Sequence, residues 1–482
     1  MTSNIDNPVR SDPAEETQLR MRKGTIQYTR LSLALLFFYL LWGDLVLQLM
    51  ETVIPSIMPL QLKALGASNT TMGFLLSTLP AFFNLVANPI VSFRSDNFRS
   101  AWGRRRPFLF VTTPLVTVTL VLLAFGPDYG QALHHLGFVR HFISSPNTTI
   151  ILVIAGLLVL FQVFHYCMTP IYYYLFVDVV PDAFMSRFLA LFRIVAALEA
   201  YLFNTFIYRS ALEHTRLIYV GCSAIYGISF LWMCWKVREG DYPPPIHANK
   251  LGLIGSIRVY CRECYSHPHY LFFNARNAMA AVGGIVGMYS VFIYRDELGL
   301  PLAVIGKTVG ITSVISAALL YPMGALCDRY HPIRVLLIAM ILQSPLSLLS
   351  FFFLHSQNSY FLFQIIAIPI STLITASEMP MFAAVLPRER YGQFGSANQI
   401  TTSVAIILGS LVAGQFMDWV TAKGTIVSHY RYLYFWGFTC QIGAIVFMNL
   451  LYRSWIRHGG PDHYVAPNIG VDSAADSATV SR

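Results

Sequence analysis

The stretch SDNFRSAWGRRRPF, Ser95–Phe108, places four arginines and one aspartate in a chain that is 55% hydrophobic. Only 12% of the 482 residues are charged, whereas soluble globular proteins carry about 25%. A chain with so little charge is expected to lie in a lipid bilayer. Because a dense cationic stretch cannot cross hydrocarbon, this one is expected to be a loop between two membrane-spanning segments.

Apolar runs flank this loop on both sides and recur along the chain. Each is long enough to span the hydrocarbon core of a bilayer, which takes about 20 residues. The sequence therefore predicts an all-α membrane protein with twelve spanning helices, at residues 30–50, 72–93, 107–126, 149–178, 188–208, 216–236, 270–294, 302–326, 333–354, 359–380, 394–417 and 431–452. No cleavable signal peptide is expected before the first run, and the positions of the seven cysteines indicate no disulfide framework.

The distribution of lysine and arginine predicts how these helices are oriented. With a cytoplasmic N-terminus, the cytoplasmic segments hold 22 of the 33 Lys and Arg residues, and the outer loops hold 8. Positive residues are enriched on the cytoplasmic side, so we expect a multi-pass cell-membrane protein with both termini in the cytoplasm. In a Gram-negative cell this would be the inner membrane. The same bias explains the net charge of +9 without a nucleic-acid partner.

A break after the sixth run divides the predicted helices into two groups of six. The segment REGDYPPPIHANK, Arg238–Lys250, supplies charges and three consecutive prolines, and VVPDAFMSRF before the break resembles VLPRERYGQF after it. This similarity indicates an internal duplication. The predicted units are a disordered cytoplasmic arm at 1–29, six-helix halves at 30–236 and 270–452, a cytoplasmic central loop at 237–269 and a cytoplasmic tail at 453–482.

The charged loop between the second and third helices joins helix ends on the predicted cytoplasmic face. Opposite charges at helix ends can form a network that holds one conformation closed, although a topology signal alone is the alternative. The gating candidates are Asp96, Arg104, Arg105 and Arg106 in this loop, and Asp328 and Arg329 in its counterpart GALCDRYHPIR in the second half.

The pattern Ser-Asp-x3-Ser-x2-Gly-Arg-Arg-Arg-Pro-Phe resembles a loop of the glycoside-pentoside-hexuronide cation symporters and the related sucrose/proton symporters. These carriers belong to the major facilitator superfamily, whose two six-helix halves rock around a site at the membrane midplane. Outside this loop, the resemblance is supported by the number of spans and the paired cytoplasmic loops. It implies a secondary carrier with a sugar-like substrate.

A polar stripe in the first helix is a candidate for substrate binding. Asp44, Gln48 and Glu51 fall at i, i+4 and i+7 and share one face, which is expected to line a cavity because charge facing lipid is costly. In the melibiose carriers of the resembled family, an acid in the first helix and an arginine in the fifth serve the sugar. Asp44 and Arg193 stand at approximately matching places. The alternative for this pair is an ion pair that only holds helices together.

The resemblance also implies that a melibiose-type sodium site is absent. Where those carriers have an Asp-x3-Asp pair before a proline in the second helix, this chain has Asn84 and Asn88. Met168 stands where an acid precedes a proline in the fourth helix. The two asparagines are expected to bind substrate or, alternatively, to form hydrogen bonds between helices.

Proton coupling would then need another buried acid. A glutamate inside a span can load and release a proton in each cycle because burial disfavours its charged form. Glu199, in the middle of the fifth helix, is the first candidate. Glu51 and Glu378 are further candidates, although Glu378 is expected near the cytoplasmic end of the tenth helix.

Other polar side chains within the spans provide donors and acceptors that suit a sugar. They are Gln162, His165, Thr169 and Tyr172 along one face of the fourth helix, and Asn204, Asn274, Arg276, Asn277, Gln364 and Asn398 elsewhere. A lone histidine such as His165 has packing as its alternative role.

Four possible zinc ligands occur close together in the central loop. The sequence CRECYSHPH contains Cys261, Cys264, His267 and His269, but the cysteine and histidine pairs are nearer to each other than in zinc fingers. A juxtamembrane amphipathic helix is the preferred interpretation. No metal or other cofactor is predicted.

These patterns together predict a proton-coupled symporter of a sugar, a disaccharide or a glycoside, that works by alternating access. The alternatives are an uncoupled facilitator, a carrier of another polar solute, and a non-transporting membrane sensor. An enzyme is not predicted, because no nucleophile, metal set or phosphate loop has suitable spacing. The expected partners are a sugar-like small molecule, a coupling proton and the lipid bilayer, and the chain is expected to be a monomer.

Overall fold

The computed structural model describes residues 21–240, 260–387, 390–422 and 430–467. Twelve helices in this part of the chain are long and apolar enough to span a membrane, which confirms the predicted all-α membrane fold. They are α1 Arg30–Ala64, α2 Asn69–Ser92, α3 Arg106–Ala124, α4 Pro146–Val179, α5 Arg187–Ser210, α6 Thr215–Lys236, α7 Pro268–Glu297, α8 Leu302–Tyr330, α9 Pro332–Phe353, α10 Gln357–Val385, α11 Tyr391–Ala422 and α12 Tyr432–Arg457. Most of the predicted arm, central loop and tail, and the Asp96 side chain, lie outside the described residues.

Helix α1 extends well beyond the predicted span, which ended at residue 50. It begins with a capping box between Thr29 and Ser32 and continues through Pro55 and Pro59 to Ala64. Prolines are tolerated inside membrane helices because neighbouring helices and side chains satisfy the backbone groups that they free. The helix therefore carries its polar residues in its middle and reaches the far face of the molecule.

The residues just before α1 form a short hairpin, although the sequence predicted a disordered arm there. Strand β1 (Arg22–Lys23) pairs with β2 (Ile26–Gln27) in antiparallel register. Lys23 forms an ion pair with Asp182, and the Tyr28 hydroxyl donates to the Val179 backbone oxygen at 3.0 Å. Burial raises the pKa of Tyr28 to about 12, so this hydroxyl stays a donor at neutral pH. These contacts attach the hairpin to the end of α4.

The helices pack as two groups with the same internal pattern. Helix pairs α1–α5, α1–α6, α2–α4, α3–α4 and α3–α6 recur as α7–α11, α7–α12, α8–α10, α9–α10 and α9–α12. The groups meet where α2 packs on α11 and α5 packs on α8. Glycines allow close approach there: a Cβ on Gly306 would lie 2.1 Å from the Asn204 backbone oxygen, and one on Gly414 would lie 2.7 Å from Thr70 Cα.

The arginine-rich loop is held by two acids, Asp178 and Glu239. The Glu239 carboxylate accepts hydrogen bonds from the backbone N–H groups of Arg104, Arg105 and Arg106 at 2.7–3.1 Å, which caps the start of α3. Asp178, at the end of α4, accepts two bonds from the Arg104 guanidinium, at 2.6 and 3.0 Å, and one from Arg105 at 3.1 Å. The loop therefore binds the ends of three helices to each other.

Two further contacts complete this network. The Arg106 guanidinium donates to the Cys234 backbone oxygen at 2.8 Å, and Arg105 donates to Ser95 Oγ at the end of α2. Arg105 is 4% exposed. Each of the described bonds joins residues between Ser95 and Glu239, so the network connects helix ends of the first half to the residues just after α6.

Replacing Asp178 with Asn tests this network. An amide cannot balance two guanidinium groups, so the free energy of unfolding is expected to fall by about 1–3 kcal/mol. The change would be measured as a lower midpoint of thermal unfolding of the purified protein in detergent. Asp328→Asn is the matched control, because Asp328 is exposed and bonds to none of the described residues. Equal midpoints for the two variants would contradict a structural role for Asp178.

A second set of contacts closes the opposite end of the molecule, where α1 ends and α2 begins. Asp418 on α11 accepts four hydrogen bonds from α2: from the backbone N–H and side-chain amide of Asn69 at 2.7 and 2.9 Å, and from the backbone N–H and hydroxyl of Thr70 at 2.9 and 2.6 Å. A carboxylate at a helix N-terminus accepts strong, charge-assisted bonds. Here the carboxylate belongs to the other half of the protein.

Two tyrosines of the second half strengthen this contact. Tyr430 and Tyr289 donate to the side-chain and backbone oxygens of Asn69 at 2.9 and 2.8 Å, and Lys63 donates to the Tyr430 hydroxyl at 2.5 Å. We call Asn69, Thr70, Asp418, Tyr289 and Tyr430 the Asp418 latch. Every hydrogen bond recorded between described residues of the two halves involves residues 63–78 of the first half. The halves are thus joined at this end.

The Asp418 latch predicts the effect of Asp418→Asn. An amide offers one acceptor oxygen instead of two and no charge, so the closed population should fall about tenfold or more relative to the open one. Spin labels at Ala64 and Thr421, on the two halves at this end, should then show a longer distance by double electron–electron resonance. Asp328→Asn should leave the distances unchanged. An unaltered distance distribution in Asp418→Asn would contradict the role of the latch.

Candidate functional site

The candidate site lies between the halves, in two adjoining cavities. One cavity of about 360 Å³ is lined by α2 and α4 of the first half and by α7 and α11 of the second. A second cavity of about 460 Å³ is lined by α1, α2 and α5 together with α7 and α8. Both cavities include Leu76 and Gly284 in their walls, so they are neighbouring parts of one space. Sites for small molecules have roughly 300–1,000 Å³.

The described walls of the two cavities combine apolar side chains with polar, uncharged ones. The described lining residues include hydroxyl and amide side chains in both cavities: Ser77, Asn84, Tyr166, Gln399 and Ser403 in the first, and Ser56, Asn204, Tyr208, Ser290 and Tyr294 in the second. Such groups can donate and accept hydrogen bonds without requiring a charged ligand.

Three acids lie close to one another on α1 and α5 of the first half, and none of them is among the lining residues of the two cavities. Asp44 and Glu199 are buried, at 0% and 4% exposure, and Glu51 is partly buried. Glu51 precedes the cavity residue Pro55 by about one helical turn. Asp44 interacts electrostatically with both glutamates, so the structure brings the predicted acids of α1 and α5 into one cluster.

Hydrogen bonds in this acid cluster connect α1 to α5. The Thr52 hydroxyl lies 3.0 Å from Glu199 Oε2 and 2.9 Å from the Gln48 backbone oxygen. The Gln48 amide lies 3.4 Å from Asp44 Oδ1. Asp44 Oδ2 and Glu199 Oε1 are buried without a hydrogen-bond partner among the described residues. Thr52 was not among the predicted site residues, although its position eight residues after Asp44 puts it on the same face of α1.

Arg193 does not pair directly with Asp44. Its side chain is exposed and forms no ion pair with a described residue, although it lies close enough to Asp44 to interact electrostatically. The alternative of an ion pair that only holds α1 and α5 together therefore has no contact to support it in this conformation.

A second polar cluster occupies the other half, around Arg276 on α7. The Arg276 side chain is 1% exposed and donates through Nη1 to Asn277 Oδ1 at 2.6 Å and to Glu378 Oε1 at 2.9 Å. The Asn277 amide donates to Asn398 Oδ1 at 2.8 Å. Glu378 is thus the counter-ion of a buried arginine. Asn274 is also buried, and its Oδ1 has no partner among the described residues.

Of the remaining predicted polar residues, some line a cavity and others form hydrogen bonds between helices. Asn84 lines the first cavity, whereas Asn88 Oδ1 lies 3.2 Å from Ser92 Oγ and 3.5 Å from the Tyr174 hydroxyl on α4. This contact is the interhelical bonding considered as its alternative role. Tyr172 is fully buried, and its hydroxyl donates to the Leu40 backbone oxygen at 2.6 Å, so it joins α4 to α1.

Gln162 and His165 on α4 are buried close to α2. The Gln162 amide donates to the Leu75 backbone oxygen at 3.1 Å. Leu75 lies in a π-helical segment, Phe74–Thr78, a distortion that often marks functional positions in helices. His165 stacks on Phe161 with ring centroids 5.4 Å apart, and its Nδ1 has no partner among the described residues. His165 therefore packs against Phe161, and its Nδ1 atom forms no hydrogen bond with the described residues.

The predicted gating residues differ between the two halves. Arg104, Arg105 and Arg106 are held by Asp178 at the end of α4 and by Glu239 just after α6, which the sequence did not identify as partners. Asp328 and Arg329 are exposed, and neither forms an ion pair with a described residue.

The paired loop sequences explain this difference. Aligning VVPDAFMSRF with VLPRERYGQF sets the residue before the first valine in each half, Asp178 and Ala384, at matching positions. The second half therefore lacks the acid that binds the arginines of the first.

The Cys–His segment leads into the start of α7, and its last histidine, His269, forms hydrogen bonds with other parts of the protein. Cys261 is exposed and Cys264 is buried. His269 uses both ring nitrogens, which lie 2.9 Å from Ser454 Oγ and 3.0 Å from the Tyr464 hydroxyl. Among the described residues, no group of three or more His, Cys, Asp or Glu side chains is placed to hold a metal ion.

Comparison with known proteins finds a family model that matches most of the sequence, a short sequence match to a transport protein, and solved structures with a similar fold. The sequence matches the family model described as Major Facilitator Superfamily over residues 40–368 and 271–463. Over 71 residues it is 32% identical to Sucrose transport protein SUT1 of Oryza sativa subsp. japonica. That alignment covers 15% of this chain and 13% of the length of the rice protein.

The fold is similar to those of two solved transporters. A bacterial homolog of the human lysosomal transporter Spinster, in an inward-facing and occupied conformation, superposes with a TM-score of 0.63 at 13% identity, over 88% of this chain and 97% of that chain. The D-xylose-proton symporter superposes with a TM-score of 0.56 at 13% identity, over 86% of this chain and 95% of that chain. The family model spans more than half of the sequence and agrees with the twelve helices, so the chain belongs to the Major Facilitator Superfamily.

Proposed function

We propose that this chain is a secondary transporter that carries a disaccharide or a glycoside together with a proton by alternating access. The observation that carries the proposal is the buried Glu199 carboxyl group on α5, the helix that also supplies Asn204 to the wall of the second cavity. One of its oxygens faces a hydroxyl of α1, the other has no described partner, and no cation contacts it among the described residues. A buried acid in this setting is suited to carry a proton.

The substrate class is proposed from the walls of the two cavities. Their size and their hydroxyl and amide groups match a solute with several hydroxyl groups, and the tyrosines offer ring faces for its apolar side. The local similarity to a sucrose transport protein supports the same class. The hydroxyl and amide groups of the two cavities can form hydrogen bonds to a sugar, and their described lining contains no charge that would favour an ion.

The orientation of the chain is part of the proposal. With both termini in the cytoplasm of a cell-membrane protein, the Asp418 latch lies on the outer face and the arginine network on the inner face. The described conformation would then be closed outside and inward-facing. In the cycle, residues 30–236 and 270–452 would move as two bodies around the cavities, breaking the latch while the arginine network keeps the first half rigid.

Thr52 provides a way for the proton to affect both helices. A hydroxyl has one hydrogen, so Thr52 donates either to Glu199 or to the Gln48 backbone oxygen, but not to both. When Glu199 is ionised, Thr52 donates to it. When Glu199 is protonated, the acid can donate to Thr52, which then donates to Gln48. In both states the Thr52 hydroxyl and the Glu199 carboxyl group are hydrogen-bonded. The donor of the bond between α1 and α5 is Thr52 in one state and Glu199 in the other.

Charge repulsion makes the state of Asp44, the residue proposed to bind the sugar, depend on whether Glu199 is protonated. Asp44 lies within electrostatic range of Glu51 and Glu199, so protonation of Glu199 removes a like charge from the cluster. Asp44, with one unpartnered oxygen, is then the acceptor proposed for sugar hydroxyl groups. Opening of the cavity toward α1 would expose it.

A sodium-driven mechanism is not proposed for this chain. The position that corresponds to an acid in the melibiose carriers is Met168, which is fully buried and accepts a contact from the Tyr226 hydroxyl at 3.3 Å. Asn84 and Asn88 are neutral. A buried sodium site needs several oxygen ligands, and these residues supply no negative charge to it.

Glu199→Gln tests the coupling role. Glutamine imitates the protonated acid, so exchange of labelled for unlabelled sugar across proteoliposomes should continue, whereas accumulation driven by an imposed pH gradient should be lost. Asp44→Asn should lose both activities, because Asp44 is assigned to the sugar. Sodium-driven uptake by the unmodified protein, or continued pH-driven accumulation by Glu199→Gln, would contradict this assignment.

Thr52 offers a matched pair of variants in the same assay. Thr52→Val keeps the shape of the side chain and removes the hydroxyl, so pH-driven accumulation should fall by about tenfold. Thr52→Ser retains the hydroxyl and should accumulate sugar as the unmodified protein does. Equal accumulation by the two variants would show that the hydroxyl has no part in coupling.

A further inference from the structure

A groove lies outside the interface of the two halves, where the hairpin and α1 meet the end of α6. It has a volume of about 280 Å³. One wall comes from α1, where Ser32, Leu35, Leu36 and Tyr39 occur at i, i+3, i+4 and i+7 and therefore share one face. Tyr39 and Trp232 of α6 close one end with an edge-to-face contact, 5.1 Å between ring centroids.

This groove is on the surface that meets lipid. Leu35 in its wall is 43% exposed, and the neighbouring Phe38 and Trp235 are 51% and 64% exposed. Large exposed apolar side chains on a spanning helix face the acyl chains, and tryptophans gather at the boundary between lipid and water. The groove thus runs from that boundary into the bilayer.

Positive charge lies at the other end of the groove. Lys236 and Arg238 line it and are exposed, and neither forms an ion pair with a described residue. The Lys236 ammonium group lies 4.5 Å from the centroid of the Trp235 ring, and tryptophans are enriched at the bilayer boundary.

Two described acids in neighbouring segments, Asp182 and Glu239, have partners of their own. Asp182 pairs with Lys23 of the hairpin, and the Glu239 carboxylate caps the start of α3. The described lining of the groove contains no acidic side chain. Among the residues that the structure describes, no acid compensates these two cations beside the apolar groove.

We propose that this groove binds one anionic phospholipid, with an acyl chain along α1 and its phosphate between Lys236 and Arg238. The lipid comes from the leaflet on the side of the hairpin. A choline or ethanolamine headgroup would bring its own cation against the two basic side chains, so a headgroup with net negative charge is favoured.

Other occupants match only part of the groove. A free phosphate ion can pair with the cations but leaves the apolar wall uncovered, and a zwitterionic lipid covers the wall without balancing the charge. A lipid in the groove touches both α1 and α6. Since a ligand that binds only the folded state raises its stability, the first half should become more resistant to unfolding.

The test follows the thermal unfolding midpoint of the purified full chain in detergent while phosphatidylglycerol, phosphatidylcholine or inorganic phosphate is added. We expect phosphatidylglycerol to raise the midpoint at a concentration at least about tenfold lower than phosphatidylcholine requires. Inorganic phosphate alone is expected to leave the midpoint unchanged.

Two variants test separately the proposed contacts of the lipid headgroup and of the acyl chain. Lys236→Ala combined with Arg238→Ala removes the charges, and Leu35→Trp fills the groove while both charges remain. Either should abolish the preference for phosphatidylglycerol. The matched control, Arg453→Ala combined with Arg457→Ala, removes two exposed cations from the end of α12, the helix that corresponds to α6, and should keep the preference.

Three results would overturn the proposal. Undiminished preference for phosphatidylglycerol in the Lys236/Arg238 variant would place the lipid elsewhere. Equal loss in the Arg453/Arg457 control would attribute the effect to overall charge rather than to the groove. Full stabilisation by inorganic phosphate would show that the apolar wall contributes nothing.

Discussion

A bilayer interior offers no water to a polar group, and the rest of this structure depends on that constraint. Asp44, Glu199 and Arg276 lie in spanning helices and are buried almost completely. Each has polar neighbours on another helix or on the next turn: Gln48 for Asp44, Thr52 for Glu199, and Asn277 with Glu378 for Arg276. The outer surfaces of the helices are left to apolar side chains, and the polar groups are gathered inside. Two apolar helix bundles with polar interiors can then meet around a wet cavity.

The two ends of this assembly are held in different ways. At one end the Asp418 latch crosses from one half to the other, with Asp418 capping a helix of the opposite half. At the other end the described bonds of the arginine network join residues of the first half to each other and to Glu239 just after α6. A contact between halves has to break when they move, whereas a contact within a half can persist.

Local sequence patterns account for the helices and for the polar stripe of α1, since hydropathy and helical spacing depend on neighbouring residues alone. The partners of the charged loop could not be predicted in this way. Asp178 is 74 residues from Arg104, and Asp418 is 348 residues from Thr70, and nothing in the local sequence distinguishes these acids from solvated ones. The same limit applies to Tyr172: its position on the polar face of α4 suggested substrate, but its hydroxyl is used by the α1 backbone. The length of α1 was underestimated because Glu51 and two prolines interrupt its apolar pattern.

The central claim is that the cavity between the halves carries a sugar together with a proton. The most direct measurement is the pH inside proteoliposomes containing the purified protein when a disaccharide or glycoside from a panel is added outside, with no pH gradient imposed. The account predicts acidification of the lumen that requires one of these sugars, saturates with its concentration and does not depend on sodium. Sugar entry without a change in lumenal pH, or no response to any sugar in the panel, would contradict it.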